Sequence, residues 1–309
     1  MIINTGSRTD IPAFYSDWFL NRIKEGYVLV RNPYYPKQVY KYQLTPDVVD
    51  IIAFTSKNPT PMVSRLDELK QFRLFWHITV TPYGKDIEPN VIDKQEVLHS
   101  VIELSKALGK KCVTLRYDPI FITDKYSIAY HLHAFEEIAK KLDGYVESVV
   151  ISFIDLYEKT KKNFPEVEEV RFSDQIKICR EMKKIADKHH MVIRTCLESE
   201  ALKEVGMDVK GCMTKEILED AFQLQLNTSS IKPAREGCSC LLQGDIGEYN
   251  TCMHLCKYCY ANYDKSIVIE NHKKHHPDSP MLIGDLKEDD IVIEMKQKSF
   301  IDPQLQFDL

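Results

Sequence analysis

The chain has 309 residues, 44% hydrophobic and 28% charged, with a net charge of −5 and a pI near 6.1. That balance argues against a broad nucleic-acid-binding surface, and no apolar run approaches the roughly 20 residues that span a bilayer. Met1 to Arg8 hold neither an apolar secretory core nor a small-residue cleavage site, so the expected location is the cytoplasm, away from membranes.

In chain order, short apolar runs alternate with amphipathic segments, as in βα units around a mostly parallel sheet. The runs Ile2–Asn4, Tyr27–Arg31, Asp50–Thr55, Arg73–Thr81, Cys112–Tyr117, Ser148–Phe153 and Met191–Thr195 are rich in β-branched and aromatic residues and read as strands. Tyr34, Tyr35, Tyr40 and Tyr42 read as aromatic packing in a long loop, with stacking on a nucleobase as the alternative. Val97, Val101, Leu104 and Leu108, and then Ile128, Leu132, Phe135 and Ile138, recur at helical spacing. A third helix carries Ile178, Met182 and Ile185, with Ser173 and Asp174 as its expected cap. The count of runs predicts a TIM-barrel-like or partial (β/α) barrel over residues 1–225, and an irregular C-terminal cluster-binding region and tail over 226–309.

Strand alternation locates a site. Leu74, Trp76, Ile78 and Val80 share one face, and Phe75, His77, Thr79 and Thr81 the other; Thr114, Arg116 and Asp118 likewise alternate with Val113, Leu115 and Tyr117. An unpaired Arg116 or Asp118 would be costly to bury, so the polar faces are expected to line a concave interior. Function in parallel α/β folds gathers at the carboxyl ends of strands. Arg8, Asp10, Arg31, Asn32, Lys57, Asn58, Arg116, Asp118, Asp155 and Arg194 fall at or just after those ends. We expect Arg8, Asp10, Lys57, Asn58, Arg116, Asp118 and Arg194 to bind cofactor or substrate, Arg116 and Arg194 as forks for a carboxylate or phosphate and Asp118 on a ribose hydroxyl or orienting an arginine. His77 reads as a hydrogen-bonded structural histidine, with proton relay as its alternative. Neither a GxSxG elbow nor a P-loop is present.

Nine cysteines without an export signal read as reduced thiols or metal ligands. Cys112, Cys179, Cys196 and Cys212 stand singly and read as small buried hydrophobes, whereas Cys238, Cys240, Cys252, Cys256 and Cys259 crowd together. Cys252-Met-His-Leu-Cys256-Lys-Tyr-Cys259 places three thiolates in a CxxxCxxC arrangement. Soft thiolates select zinc or iron-sulfur clusters, and three of them fit a 4Fe-4S cluster with one iron left open. Cys238 and Cys240 are candidate additional ligands, of an auxiliary centre, of the main cluster or of zinc, or else plain thiols in a turn. His272, His275 and His276 read as part of a solvated polar tail, with metal binding as the alternative.

The CxxxCxxC spacing, with Tyr258 before the third cysteine, resembles the radical S-adenosylmethionine signature. In those enzymes the open iron binds the methionine moiety, and cleavage of the sulfonium yields a 5′-deoxyadenosyl radical. Arg8-Thr9-Asp10-Ile11-Pro12, Ser56-Lys57-Asn58-Pro59, Arg116-Tyr117-Asp118-Pro119, Gly237-Cys238-Ser239-Cys240, Asp245-Ile246-Gly247 and Cys252 to Tyr260 together resemble an uncharacterised bacterial family of unknown function, whose C-terminal cysteines are likened to that motif. The resemblance implies a cluster-binding protein with no settled reaction. Arg116 to Pro119 also resembles strands of spore-photoproduct-lyase-like enzymes, which keeps nucleotide-like substrates in view. Only 50 residues follow Cys259, so any barrel must precede the loop, as in a circular permutation, with Gly244 to Asn250 as the strand entering it. No Gly-Gly-Glu segment is present to hold the methionine amino group. Two function classes follow: a radical-SAM-like enzyme on a small, anionic or nucleotide-like molecule, fed by a donor such as flavodoxin or ferredoxin, and a non-catalytic cluster or zinc protein for redox sensing or partner binding. The lined interior favours the enzyme, because radical chemistry needs a held, shielded substrate.

Overall fold

The computed structural model describes residues 1–229, 231, 237–242 and 244–301. Ser230, Pro233 and the end of the tail, all inside the expected C-terminal region, lie outside the described residues. The strands are β1 (Ile2–Asn4), β2 (Tyr27–Arg31), β3 (Gln38–Gln43), β4 (Ile51–Ser56), β5 (Arg73–Thr79), β6 (Val113–Ile120), β7 (Ser148–Phe153), β8 (Val192–Thr195) and β9 (Ile291–Glu294). The α-helices are α1 (Ile11–Phe14), α2 (Ser16–Glu25), α3 (Thr60–Val63), α4 (Lys94–Leu108), α5 (Ile128–Lys141), α6 (Glu158–Asn163), α7 (Phe172–Lys188), α8 (Lys215–Phe222) and α9 (Lys265–Lys273).

The architecture is α/β. Six strands form one parallel sheet in the order β1-β4-β5-β6-β7-β8. Parallel neighbours require crossovers, and the two regular apolar stripes supply them: α4 links β5 to β6, and α5 links β6 to β7. The apolar strand face packs against these helices, so Ile52, Phe54, Trp76 and Leu115 are fully buried, with Phe54 and Trp76 stacked at 4.2 Å. Burying side chains of this size contributes about 1.5–3 kcal/mol each.

The sheet is open and not closed into a TIM barrel. Its edges each carry one further parallel bridge, Asn4 to Asp245 beside β1 and Arg194 to Asp208 beside β8. At the first edge Asn4 N–H donates to the Gly244 carbonyl (3.2 Å) and Ile246 N–H to the Asn4 carbonyl (3.0 Å), so residues 244–246 run along β1 just before the cysteine loop.

Three local expectations change. Tyr27–Arg31 is a strand, but it pairs antiparallel with β3 in a separate three-stranded sheet, order β2-β3-β9. Tyr40 and Tyr42 therefore sit on a strand, while Tyr34 and Tyr35 at the hairpin tip are 81% and 66% exposed. Asn32 shapes that tip, its side-chain oxygen accepting from the N–H groups of Tyr34 (2.9 Å) and Tyr35 (3.3 Å). Second, α7 starts at Phe172, so Ser173 and Asp174 lie within its first turn; Arg171 occupies the cap position without a side-chain bond, and Asp174 instead complements the helix dipole. Third, the C-terminal segment is not a solvated tail: α9 and β9 are ordered, and His272 and His275 stack on each other and flank the buried Tyr15. Trp18 Nε1 donates to the Ser279 carbonyl at 2.9 Å, and buried Asp50 gathers the Met1 ammonium (2.6 Å) and Phe300 N–H (2.7 Å). Among the described residues, no helix is long and apolar enough to cross a membrane.

Candidate functional site

The polar strand face opens onto a cavity of about 280 Å³ at the carboxyl ends of the central strands. Its lining takes Arg8 and Asp10 from the loop after β1, Lys57 after β4, His77 and Thr79 from β5, Arg116 and Asp118 from β6, and Ser152 and Asp155 at the end of β7. Residues 252–261 roof it with Cys252, His254, Cys256, Tyr258 and Cys259. One alternation in each strand thus buries apolar side chains against helices and turns polar ones inward.

Three charged groupings line or support this space. Arg116 and Asp118 form an ion pair, and the second Asp118 oxygen accepts from the Ser152 hydroxyl. Burial would raise the Asp118 carboxyl, but Arg116 and Ser152 outweigh it and hold it below the ordinary value. Glu88 is buried behind the wall and bridges Lys57 (2.8 Å), Lys94, Thr81 (2.5 Å) and the Tyr258 hydroxyl. Burial acts to raise it, yet the two ammonium groups bring its carboxyl down to about 2. Cys256 feels both sides of this network: Glu88 raises its thiol and Lys57 acts against that rise. Asp10 is the third: it caps α1 through Ala13 N–H (3.0 Å) and accepts from Lys57 N–H (2.7 Å), while its Oδ2 lies 2.8 Å from His254 Nε2. Its carboxylate therefore ties the β1 loop, the β4 end and the cysteine roof together. Buried His254 Nδ1 has no hydrogen-bond partner among the described residues.

All three cysteines of the CxxxCxxC segment line the same cavity. Burial pushes each thiol up; Cys259 raises Cys252 further through charge proximity, Glu88 does the same to Cys256, and Lys57 acts in the opposite direction on Cys256 and Cys259. A soft metal centre would compensate that burial cost, because coordination replaces the proton. The donor type and the shared cavity fit a thiolate-bound cluster. Among the described residues, no three His, Cys, Asp or Glu side chains form a set able to hold a single metal ion.

The expected residues divide. Arg8, Asp10, Lys57, Arg116 and Asp118 share the cavity with Cys252, Cys256 and Cys259, whereas Asn58, Arg194, Cys238 and Cys240 are not in its lining. Arg194 pairs with Asp208 at 3.4 Å, and Arg31 pairs with Asp290 at 2.5 Å under the other sheet. His77 is buried with Nε2 at 3.1 Å from the Cys212 carbonyl, and burial, helped by Arg116, brings its pKa down to about 3, so it stays neutral. Sequence reasoning missed Glu88, Tyr258 and His254 as partners, and it also missed a second group of sulfurs. Cys112 and Cys179 are buried thiols, as expected. Cys196 and Cys212 line the cavity, and Cys212 Sγ lies 3.9 Å from Cys196 Sγ and 3.4 Å from Cys240 Sγ. Only the C-x-C spacing of Cys238 and Cys240 signalled this group in advance.

The family model described as Domain of unknown function (DUF1848) matches residues 2–261. No curated protein matches the chain.

Proposed function

We propose that this chain, which belongs to the DUF1848 family, is an iron-sulfur protein with radical-SAM-like activity on an anionic or nucleotide-like small molecule. The observation that carries the reading is the meeting of a CxxxCxxC thiol set with inward-facing strand-end charges in one cavity. Cys252, Cys256 and Cys259 would hold a 4Fe-4S cluster. When bound, such a cluster with an open iron supplies a reducing electron to the sulfonium of S-adenosylmethionine.

The chain's own residues have separate tasks in this reading. Lys57, held by Glu88, offsets the negative charge of three thiolates. Asp10 fixes His254 and the roof at one height over the strands. The Arg116 fork, oriented by Asp118, binds a carboxylate or phosphate of the cofactor or substrate, and Arg8 at the rim, 5.6 Å above the Tyr249 ring, adds a second cation. In fold terms, the six-stranded sheet extended by residues 244–246 supports a partial (β/α) barrel in which the strand leading into the cluster loop comes last in the chain. The electron donor would be a flavodoxin- or ferredoxin-like protein.

The test is anaerobic iron, sulfide and zinc analysis of reconstituted protein, with electron paramagnetic resonance of the reduced form before and after S-adenosylmethionine. About four irons and four sulfides per chain, with a signal altered by the cofactor, is the expected result. A zinc-only protein would overturn it, and a cluster indifferent to the cofactor would make the chain an electron-transfer or sensing protein instead.

A further inference from the structure

The second sulfur group lies where three remote segments meet. Cys196 follows β8, Cys212 sits in the turn at residues 211–213, and Cys240 lies beside that turn, tied to it by Leu241 N–H donating to the Met213 carbonyl at 2.9 Å. Cys240 Sγ accepts from the backbone N–H groups of Cys212 (3.2 Å) and Met213 (3.3 Å). Gly211 makes the approach possible. Its φ is +121°, and a Cβ there would stand 3.1 Å from the Cys240 sulfur. On the cavity side the Arg116 guanidinium feels both Cys212 and Cys196. One sulfur is thus hydrogen-bonded as a thiolate would be, and its neighbour, 3.4 Å away, faces both a cation and the cavity.

We infer that Cys212 and Cys240 form a reversible dithiol–disulfide couple that exchanges with small-molecule disulfides entering the cavity. In the oxidising direction, Cys212 gives up its proton as it attacks one sulfur of an incoming disulfide, forms a mixed disulfide and releases the first small thiolate, which takes up that proton. The Cys240 thiolate then attacks Cys212 Sγ, closes the Cys212–Cys240 bond and releases the second. The two cysteine protons go to the two released thiolates; the protein loses two electrons and the incoming disulfide gains them. Cys196, 3.9 Å from Cys212, is the neighbouring thiol to which the bond could shift. The couple does not depend on what the Cys252–Cys259 loop binds.

The experiment uses the full chain, kept anaerobic and treated with glutathione disulfide, then alkylated and mapped by mass spectrometry. The expected result is loss of two of the nine thiols as a Cys212–Cys240 cross-linked peptide, restored by dithiothreitol. In Cys240→Ser the reaction should stop at a glutathione adduct on Cys212; Cys196→Ser should still cross-link. Because the wild-type map is decisive alone, a poorly folding variant leaves the test intact. Cys212 and Cys240 both remaining alkylatable would overturn the couple, as would disulfides confined to Cys252, Cys256 and Cys259. Thiols masked until a chelator removes a bound metal would overturn it too.

Discussion

Two groups of cysteines meet at one cavity, one wholly in its lining and the other reaching behind it to Cys240, and they are built differently. Cys252, Cys256 and Cys259 lie on a single short loop, so their proximity costs little chain entropy and their spacing is visible in the sequence. Cys196, Cys212 and Cys240 stand 16 and 28 residues apart and meet only because the sheet places their segments together. Their surroundings also differ. Burial raises the loop thiols, which would suit a soft metal centre replacing their protons; in the second group Cys196 and Cys212 are raised too, and Cys240 alone is lowered, chiefly by hydrogen bonding from Cys212. Proximity of sulfurs therefore does not define their chemistry; the groups that solvate them do.

The largest expected effect tests whether the two groups are separate. Cys256→Ala should abolish nearly all reconstituted iron and sulfide, while Cys240→Ser should leave both at the wild-type level. Comparable iron loss in the two variants would merge them into one metal site.

Next comes the electrostatic wall behind the loop group. Glu88→Gln keeps the shape of a buried side chain but leaves Lys57 and Lys94 without their shared carboxylate. Breaking a buried pair in this way costs about 3–5 kcal/mol, readable as a lower urea midpoint. Among the described residues no comparable charge network stands behind Cys240, so Cys240→Ser should shift the midpoint far less. A loss under about 1 kcal/mol for Glu88→Gln would mean that water reaches these charges in solution.

The same contrast marks what the sequence made legible. The strand periodicity of residues 73–81 and 113–118 located the interior face, and hence His77, Thr79, Arg116 and Asp118, because a two-residue period survives any tertiary arrangement. Residues near strand ends were a coarser guide: Asn58 and Arg194 satisfied that rule yet are not in the lining. Glu88 was invisible because it lies in an irregular segment with no period to mark it, and its importance arises only where Lys57, Lys94 and Tyr258 converge. Tyr27–Arg31 read correctly as a strand, but which sheet it joined depended on β3 and β9, and β9 lies more than 250 residues away along the chain.

Arg116 sits between the two groups and sharpens their comparison. It touches the cavity, is paired with Asp118, and feels Cys196 and Cys212. Arg116→Ala should leave iron content unchanged but weaken the response of the reduced signal to S-adenosylmethionine roughly tenfold or more, since a hydrogen bond to a charged group contributes about 1.5–3 kcal/mol. It should also slow glutathione-disulfide exchange at Cys212 by removing the nearby cation. Loss of iron in this variant would place Arg116 in the loop group's scaffold and not in ligand binding.

The smallest effect separates the two sides by pH. Glu88, behind the loop group, has its carboxyl brought down to about 2, so the folded state binds fewer protons than the unfolded one between about 2 and the ordinary 4.5. Its contribution is complete above that window and is lost on acidification through it. Glu198, near Cys196, accepts from Phe153 N–H at 2.7 Å, and burial, reinforced by Asp155 and Asp118, raises it from 4.5 to about 8. Here the folded state holds the extra proton, so stability falls as pH rises from about 4.5 to 8 and is level outside that range. Urea midpoints at pH 5, 6.5 and 8 should therefore decline in the wild type, and Glu198→Gln, which cannot ionise, should show a shallower decline. An unchanged slope in the variant would assign the decline to another group and place the Glu198 carboxylate in contact with water. Two buried carboxylates thus tilt stability in opposite directions, Glu88 weakening the fold on acidification and Glu198 on alkalisation, because one is buried with lysines and the other beside acids.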